Sequence, residues 1–162
     1  VIARIGADGA RGHALEYAGP AIEALSMEGR LTLCNMSIEA GARCAMVAPD
    51  ETTFAFIEGR PSAPKGEDFA RAVDAWRSLA SDPGAIFDRE EAIDASAVAP
   101  MVTWGVSPEE AAPVTATVPA LESVPQQRRA SFGDALQYMR LEPGQPLAGV
   151  PVDRVFIGSC TN

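Results

Sequence analysis

The fold is decided by one stretch, residues 31–48, which reads Leu31-Thr32-Leu33-Cys34-Asn35-Met36-Ser37-Ile38-Glu39-Ala40-Gly41-Ala42-Arg43-Cys44-Ala45-Met46-Val47-Ala48. Its two ends, 31–34 and 44–48, are short apolar runs of the kind that buried strands have. The segment between them, 37–42, fits one or two helical turns, and Asn35 can cap their start. The stretch therefore predicts a strand, a helical turn and a second strand.

The same alternation continues toward the amino terminus and beyond residue 48. Residues 1–5 and 13–17 are predicted strands, and Pro20 opens a helix that Gly29 closes. Asp50 caps a further helix. Strands separated by short helices indicate βαβ units, so we expect an α/β fold with a mostly parallel sheet.

Residues 67–80 carry a strong helix signal, and a proline-rich stretch follows later in the chain. Apolar residues recur there at i, i+4, i+7 and i+11, as Phe69, Val73, Trp76 and Ala80. Five prolines then interrupt residues 100–130, which we interpret as a linker or functional loop in which Trp104 buries its indole as an anchor. These features predict a domain boundary near residue 122, with one domain at 1–121 and the start of a second domain at 122–162.

The predicted second domain opens with one helix and one strand. The helix spans about 131–141, and its apolar face consists of Phe132, Leu136 and Met139. A strand at 152–157 then leads into the last turn of the chain.

Composition and charge exclude several classes of protein. The chain has 162 residues and a net charge of −9 without a basic cluster, which argues against a nucleic-acid partner. No apolar run approaches the roughly 20 residues of a membrane span. Three widely spaced cysteines do not suit a disulfide framework, so we expect a reducing, cytoplasmic location. His13 is the single histidine, which argues against a histidine-rich metal site.

The end of the chain carries a cysteine in a tight turn. Val155-Phe156-Ile157 leads into Gly158-Ser159-Cys160-Thr161-Asn162, which presents one thiolate where open α/β sheets bind ligands. A metal or cluster usually takes three or four protein ligands. If Cys160 is a ligand, its partners lie outside the chain, and we therefore expect an internal piece of a larger enzyme.

Asn35 and Glu39 form the second candidate site. They follow a predicted strand end and, four residues apart, share one face if the turn is helical. Glu39 lies among apolar neighbours, so its carboxylate either turns out to solvent or belongs to a site with a perturbed pKa. A third candidate, the glycine-rich loop 6–12, lacks the Lys-Ser/Thr ending of a phosphate-binding loop and is better explained as a plain connection.

Taken together, several strings of the chain resemble the aconitase superfamily of iron–sulfur hydro-lyases. Those strings are Ala24-Leu25-Ser26-Met27-Glu28-Gly29-Arg30, Cys34-Asn35-Met36-Ser37-Ile38-Glu39-Ala40-Gly41-Ala42 and Gly158-Ser159-Cys160-Thr161-Asn162. Within the superfamily, three further stretches look most like the large subunits of 3-isopropylmalate dehydratases. These are residues 46–54, Gly59-Arg60-Pro61 with Ala63-Pro64-Lys65-Gly66, and Pro100-Met101-Val102-Thr103-Trp104-Gly105.

The resemblance implies a cofactor, a reaction and a partner. Its members hold a [4Fe–4S] cluster through three cysteines, and Cys160 matches the first of them; the Cys-x-x-Cys that supplies the others is absent here. Asn35 and Glu39 match positions near the open iron. The implied activity interconverts 2- and 3-isopropylmalate in leucine biosynthesis, together with a small subunit. We expect the isolated chain to lack the cluster and to be inactive.

Some residues depart from the family pattern, and other interpretations stay open. Ala10 and Arg11 interrupt the glycine-rich loop, and Val106 and Glu109 replace the Thr and Gly that family members typically carry. Aconitase or homoaconitase is an alternative within the same chemistry. A non-catalytic α/β binding module on the same scaffold is an alternative from another class.

Overall fold

The structure is a computed structural model, and it describes residues 1–159 and Thr161. Over those residues the elements are α1 (Ile2–Ile5), β1 (Ala14–Tyr17), α2 (Pro20–Glu23), α3 (Met27–Met36), β2 (Cys44–Val47), α4 (Glu51–Ile57), α5 (Glu67–Arg77), β3 (Met101–Thr103), β4 (Ala111–Pro113) and α6 (Arg129–Met139). Short 3₁₀ turns lie at Ser37–Ala40, Ala95–Ala97, Leu121–Ser123 and Gln126–Arg128. No helix in the described part of the chain is both long and apolar enough to cross a membrane.

In the part of the chain that the structure describes, the strands form two small sheets rather than one large one. β1 and β2 pair in parallel with Ala14 opposite Cys44, which confirms the predicted strands at 13–17 and 44–48. β3 and β4 pair antiparallel, with Met101 opposite Pro113. The fold combines helices with strands as expected, but the prediction of a mostly parallel sheet is not supported, because one sheet is parallel and the other antiparallel.

Residues 31–34 are helical, and the prediction of a strand there is wrong. They belong to α3, which begins after Ser26, whose hydroxyl accepts the N–H of Gly29 at 3.3 Å. Glu28 lies in the first turn, where a carboxylate complements the helix dipole. Gly29, predicted to end a helix, lies inside this one. Residues 1–5 also differ from the prediction, since Ile2–Ile5 form one helical turn.

Two predicted features of the strands are also corrected. β2 was expected to be buried, yet Cys44 and Met46 are exposed, because the two-stranded sheet covers only alternate residues. Residues 152–157 form no strand, and Val155, Phe156 and Ile157 are almost fully exposed. Among the described residues no strand pairs with this segment, so its backbone has no ladder to join.

The predicted helices α4 and α5 are present and pack together. The Asp50 carboxylate accepts the N–H of Thr53 at 3.2 Å, which confirms the predicted cap of α4. Phe54 of α4 stacks on Trp76 of α5 with ring centroids 6.1 Å apart. The stripe of α5 is half-buried at Phe69, Val73 and Trp76, whereas Ala80 lies beyond the end of the helix and is exposed.

The described residues form two hydrophobic clusters. The smaller consists of Ala10, Ala40 and Ala42, with Ile2, Ile5 and Leu15 packed against it. The larger consists of Trp104, Val118, Phe132 and Leu136. Burial of Trp104 confirms its predicted role as an anchor, and Phe132 and Leu136 are buried as expected, whereas Met139 is exposed.

The larger cluster joins residues on both sides of position 122. Trp104 and Val118 precede the proposed boundary, and Phe132 and Leu136 of α6 follow it. The division into domains at 1–121 and 122–162 stays a prediction.

Candidate active site

A cleft of about 440 Å³ brings together three parts of the chain that are far apart in sequence. They are the end of α3 with its following 3₁₀ turn, the end of β3 with the turn after it, and the two residues Ser159 and Thr161. Its lining residues are Thr32, Asn35, Met36, Glu39, Thr103, Gly105, Val106, Ser107, Pro108, Ser159 and Thr161. We call this space the candidate cleft.

Asn35 and Glu39, the two residues predicted from their spacing, both line the candidate cleft. Asn35 lies in the last turn of α3 and Glu39 in the 3₁₀ turn Ser37–Ala40, and both side chains are exposed. An amide and a carboxyl group therefore reach the same solvent-accessible space. This pair can bind a hydroxyl group and exchange a proton with it.

Hydrogen bonds and burial hold the backbone of the 3₁₀ turn that carries Glu39. Ser37 is buried, and its hydroxyl donates to the Leu33 carbonyl at 2.7 Å. Because that bond uses the single serine proton, the Tyr17 hydroxyl donates to Ser37, at 2.8 Å. Ala40 is fully buried in the small alanine cluster. The turn is thus tied to β1 while Glu39 stays free to face the cleft.

The stretch 103–108 contributes apolar and hydroxyl groups to the candidate cleft. Val106 and Pro108 are its apolar members, and Thr103 and Ser107 carry hydroxyls. From the sequence, residues 103–105 are part of the stretch that resembles the dehydratases and are predicted to anchor the loop, without a predicted place in the site. Trp104 performs that role, since its ring packs edge-on against Phe132 with centroids 5.0 Å apart.

Glu109, one of the residues that depart from the family pattern, ties this stretch to two other segments. Its Oε2 accepts the Ala7 N–H at 3.1 Å, and its Oε1 lies 2.6 Å from Nη2 of Arg128. The glycine-rich loop also packs against the turn that carries Glu39, since Ala10 is buried against Ala40. No signal in the sequence indicated this role for Glu109.

The end of the chain reaches the candidate cleft through Ser159 and Thr161. These residues flank Cys160, which lies outside the described residues. The predicted role of Cys160 as a metal ligand accordingly stays a prediction. Asn35 and Glu39 do share their cleft with both sequence neighbours of that cysteine.

The other two cysteines do not suit a metal site. Burial raises the pKa of the Cys34 thiol, which disfavours the thiolate that a metal needs. Cys44 lies exposed on β2. Over residues 1–159 and Thr161, no three His, Cys, Asp or Glu side chains converge on a common point that could hold a metal ion. The described residues therefore do not fit a complete [4Fe–4S] site, for which this chain offers Cys160 as its one candidate ligand.

His13 lies outside the candidate cleft. Its ring Nδ1 is 3.0 Å from the Arg11 carbonyl, and the side chain is exposed. This contact is local, so the histidine has a structural explanation.

Comparison with known protein families yields a match over residues 1–162, to the family described as the aconitase family (aconitate hydratase). The matched region contains all three segments that line the candidate cleft. It also contains the three strings on which the resemblance in sequence rests. Because the match spans the whole chain, the protein belongs to the aconitase family.

Proposed function

We propose that the chain is part of the large subunit of a 3-isopropylmalate dehydratase, a hydro-lyase that interconverts 2- and 3-isopropylmalate by dehydration and rehydration. One observation carries the proposed site: Asn35 and Glu39 line one cleft with Ser159 and Thr161, although more than a hundred residues separate the two pairs. The choice of isopropylmalate rests on the resemblance of residues 46–54, 59–66 and 100–105 to the large subunits of these dehydratases. Membership of the aconitase family supports hydro-lyase chemistry at the general level.

In this proposal, Asn35 binds the substrate hydroxyl and Glu39 manages its proton. The amide of Asn35 hydrogen-bonds the hydroxyl oxygen and orients it in the candidate cleft. The Glu39 carboxyl group donates a proton to the departing hydroxyl, which leaves as water, and takes a proton back from water during rehydration. As the C–O bond breaks, the neighbouring carbon loses its proton to a separate base and the C=C bond forms; during rehydration that base returns the proton to the carbon. Among the described residues that line the cleft, Glu39 is the one carboxyl group, so we place this base in another part of the enzyme.

Family members generally bind a [4Fe–4S] cluster, which supplies a Lewis acid for the hydroxyl when it is bound. In the proposed enzyme Cys160 is one ligand of this cluster. Because the described residues do not form a complete ligand set, we derive no step of the reaction through the cluster.

A small subunit is the proposed partner. The substrate carries two carboxylates, which call for cationic or hydrogen-bonding groups. Of the described residues that line the candidate cleft, none is Lys or Arg, and Glu39 is the charged one. We propose that basic side chains from other parts of the large subunit or from the small subunit complete the site.

The test uses the complete large subunit with its small subunit, reconstituted anaerobically with iron and sulfide. We expect turnover of 2-isopropylmalate, and we expect Glu39→Gln to lower kcat by about a hundredfold or more. Asn35→Ala should also lower kcat/KM. Glu58→Gln is the matched control, because Glu58 is an exposed glutamate at the end of α4 and outside the cleft.

The outcomes separate the alternatives. Turnover of citrate or homocitrate in place of 2-isopropylmalate would assign the enzyme to the aconitase or homoaconitase type, which the description of the family also suggests. Full activity of Glu39→Gln would remove Glu39 from the mechanism. Absence of turnover on all three substrates in the reconstituted enzyme would favour the non-catalytic binding module.

A further inference from the structure

Glu110 is a buried carboxylate next to the candidate cleft, and the mechanism above does not use it. Only 7% of the surface of Glu110 is exposed to solvent. Its Oε2 accepts the N–H of Val106 at 2.6 Å and the N–H of Ser107 at 2.9 Å. Two backbone donors thereby compensate for the removal of this carboxylate from water.

Two backbone hydrogen bonds close a turn between Trp104 and Glu110. The Trp104 N–H donates to the Glu110 carbonyl at 3.0 Å, and the Glu110 N–H donates to the Ser107 carbonyl at 2.9 Å. A Cβ on Gly105 would lie 2.1 Å from Oε2 of Glu110. The carboxylate thus occupies the space beside residue 105 and requires a glycine there.

This arrangement fixes which groups of the turn face the cleft. The amides of Val106 and Ser107 point inward to Glu110. The side chain of Val106, which is 64% exposed, lines the cleft together with Ser107 and Pro108. Without the acceptor, the two amides would need other partners, and the backbone bonds of Trp104 and Glu110 would be left to hold the turn.

We propose that Glu110 is a positioning residue, whose buried carboxylate sets the conformation of the 105–108 stretch that lines the candidate cleft. Its consequence for substrate binding rests on the proposed function. Glu110 contacts the backbone rather than the substrate, so it acts through Val106 and Ser107. What matters is an acceptor oxygen at the position of Oε2, which a glutamine can also supply.

The test compares four variants of the complete two-subunit enzyme. Glu110→Ala removes the acceptor, Glu110→Gln retains it, and Gly105→Ala displaces it by the steric clash. Glu122→Gln is the control, since Glu122 is an exposed glutamate outside the cleft. The measurements are hydrogen exchange of the Val106 and Ser107 amides, KM and kcat for 2-isopropylmalate, and the thermal midpoint.

We expect Glu110→Ala and Gly105→Ala to speed exchange at these two amides by about tenfold or more. We expect both to raise KM by about tenfold with a smaller change in kcat, because misplacement of a site wall weakens binding. Glu110→Gln should stay within about twofold of the unchanged protein in both measurements. Recovery by the glutamine distinguishes an acceptor role from a need for charge.

Unchanged exchange at Val106 and Ser107 in Glu110→Ala would overturn the proposal, as would a loss in Glu110→Gln equal to that in Glu110→Ala. If Glu110→Ala does not fold, Glu110→Asp replaces it, since the shorter side chain withdraws the acceptor, and the same criterion applies. If the unchanged enzyme turns over none of the substrates, the proposed function fails, whereas the exchange measurement still decides the role of Glu110.

Discussion

The guanidinium of Arg30 donates two parallel hydrogen bonds to the carboxylate of Asp50, from Nη1 to Oδ1 at 2.6 Å and from Nη2 to Oδ2 at 2.7 Å. Arg30 is buried in α3 and also donates to the carbonyls of Glu23 and Leu25. Asp50 at the same time caps α4. One ion pair therefore joins the helix that carries Asn35 to the helix that follows β2.

Replacement of Arg30 should destabilise the protein. Arg30→Met keeps most of the side-chain volume but removes the guanidinium that donates to Asp50 and to two carbonyls, and leaves Asp50 with the Thr53 N–H. Because the Asp50 side chain is 35% exposed and can partly rehydrate, we expect a loss of about 2 kcal/mol rather than the ~3–5 kcal/mol of a fully buried pair. Urea denaturation measures the loss. Arg43→Met is the control, since Arg43 is exposed; equal stability of the two variants would contradict the prediction.

The same pair predicts a dependence of stability on pH. The hydrogen bond from Arg30 lowers the pKa of Asp50 below its ordinary value of 3.8, against the opposing effect of burial. A carboxyl group whose pKa is depressed in the folded state adds stability above its unfolded pKa, and this contribution is lost as the pH falls through the folded pKa.

As the pH falls from about 7 to about 2.5, the free energy of unfolding should therefore decrease less in Asp50→Asn than in the unchanged protein. Asparagine can still cap α4, so the comparison isolates the charge. Urea titrations at a series of pH values measure both slopes. Identical pH profiles would show that Arg30 does not perturb Asp50.

Local signals in the sequence account for the parts of the fold that were predicted correctly. Asp50 before an apolar run is sufficient to indicate a helix start, and the stripe of Phe69, Val73 and Trp76 is sufficient to indicate α5. The error at 31–34 arose because a short, mostly apolar run fits a strand and a helix segment equally well. Ser26 as the N-cap and Glu28 in the first turn are the capping signal that favours a helix there.

The candidate site was only half predictable, for a physical reason. Asn35 and Glu39 lie four residues apart, so a helical repeat alone brings them to one face. Their proximity to Ser159 and Val106 depends on long-range packing that no periodicity encodes. Glu109 and Glu110 are adjacent and chemically identical, yet their environments differ. Glu109 bridges Ala7 and Arg128, whereas Glu110 is buried and accepts backbone hydrogen bonds from a turn.

The contact between Trp104 and Phe132 should be a major source of stability. The rings meet edge to face with centroids 5.0 Å apart, and both residues are buried. Phe132→Ala should cost about 3 kcal/mol and expose the indole, which shifts its emission to longer wavelength. The measurement needs a Trp76→Phe background, because the chain has two tryptophans.

Tyr138→Ala on the same helix is the control for this prediction. Its side chain is 78% exposed, so its loss should change stability by no more than about 0.5 kcal/mol and leave the emission unchanged. A loss in Phe132→Ala no larger than in this control would indicate that the loop is held by other contacts.

Two glycines should respond to alanine with opposite signs. Gly41 ends the 3₁₀ turn that carries Glu39 with a φ of 82°, and a Cβ there would lie 3.1 Å from the Ala7 carbonyl oxygen. Gly41→Ala should therefore cost about 1–2 kcal/mol from backbone strain and crowding. Gly133 lies inside α6, and apart from its chain neighbours and the nearby backbone of the helix, no atom lies within 4 Å of an added Cβ, so Gly133→Ala should add about 0.5–1 kcal/mol through helix propensity. Thermal and urea unfolding measure both changes, and a shift of the same sign in the two variants would mean that the left-handed conformation at Gly41 does not decide its identity.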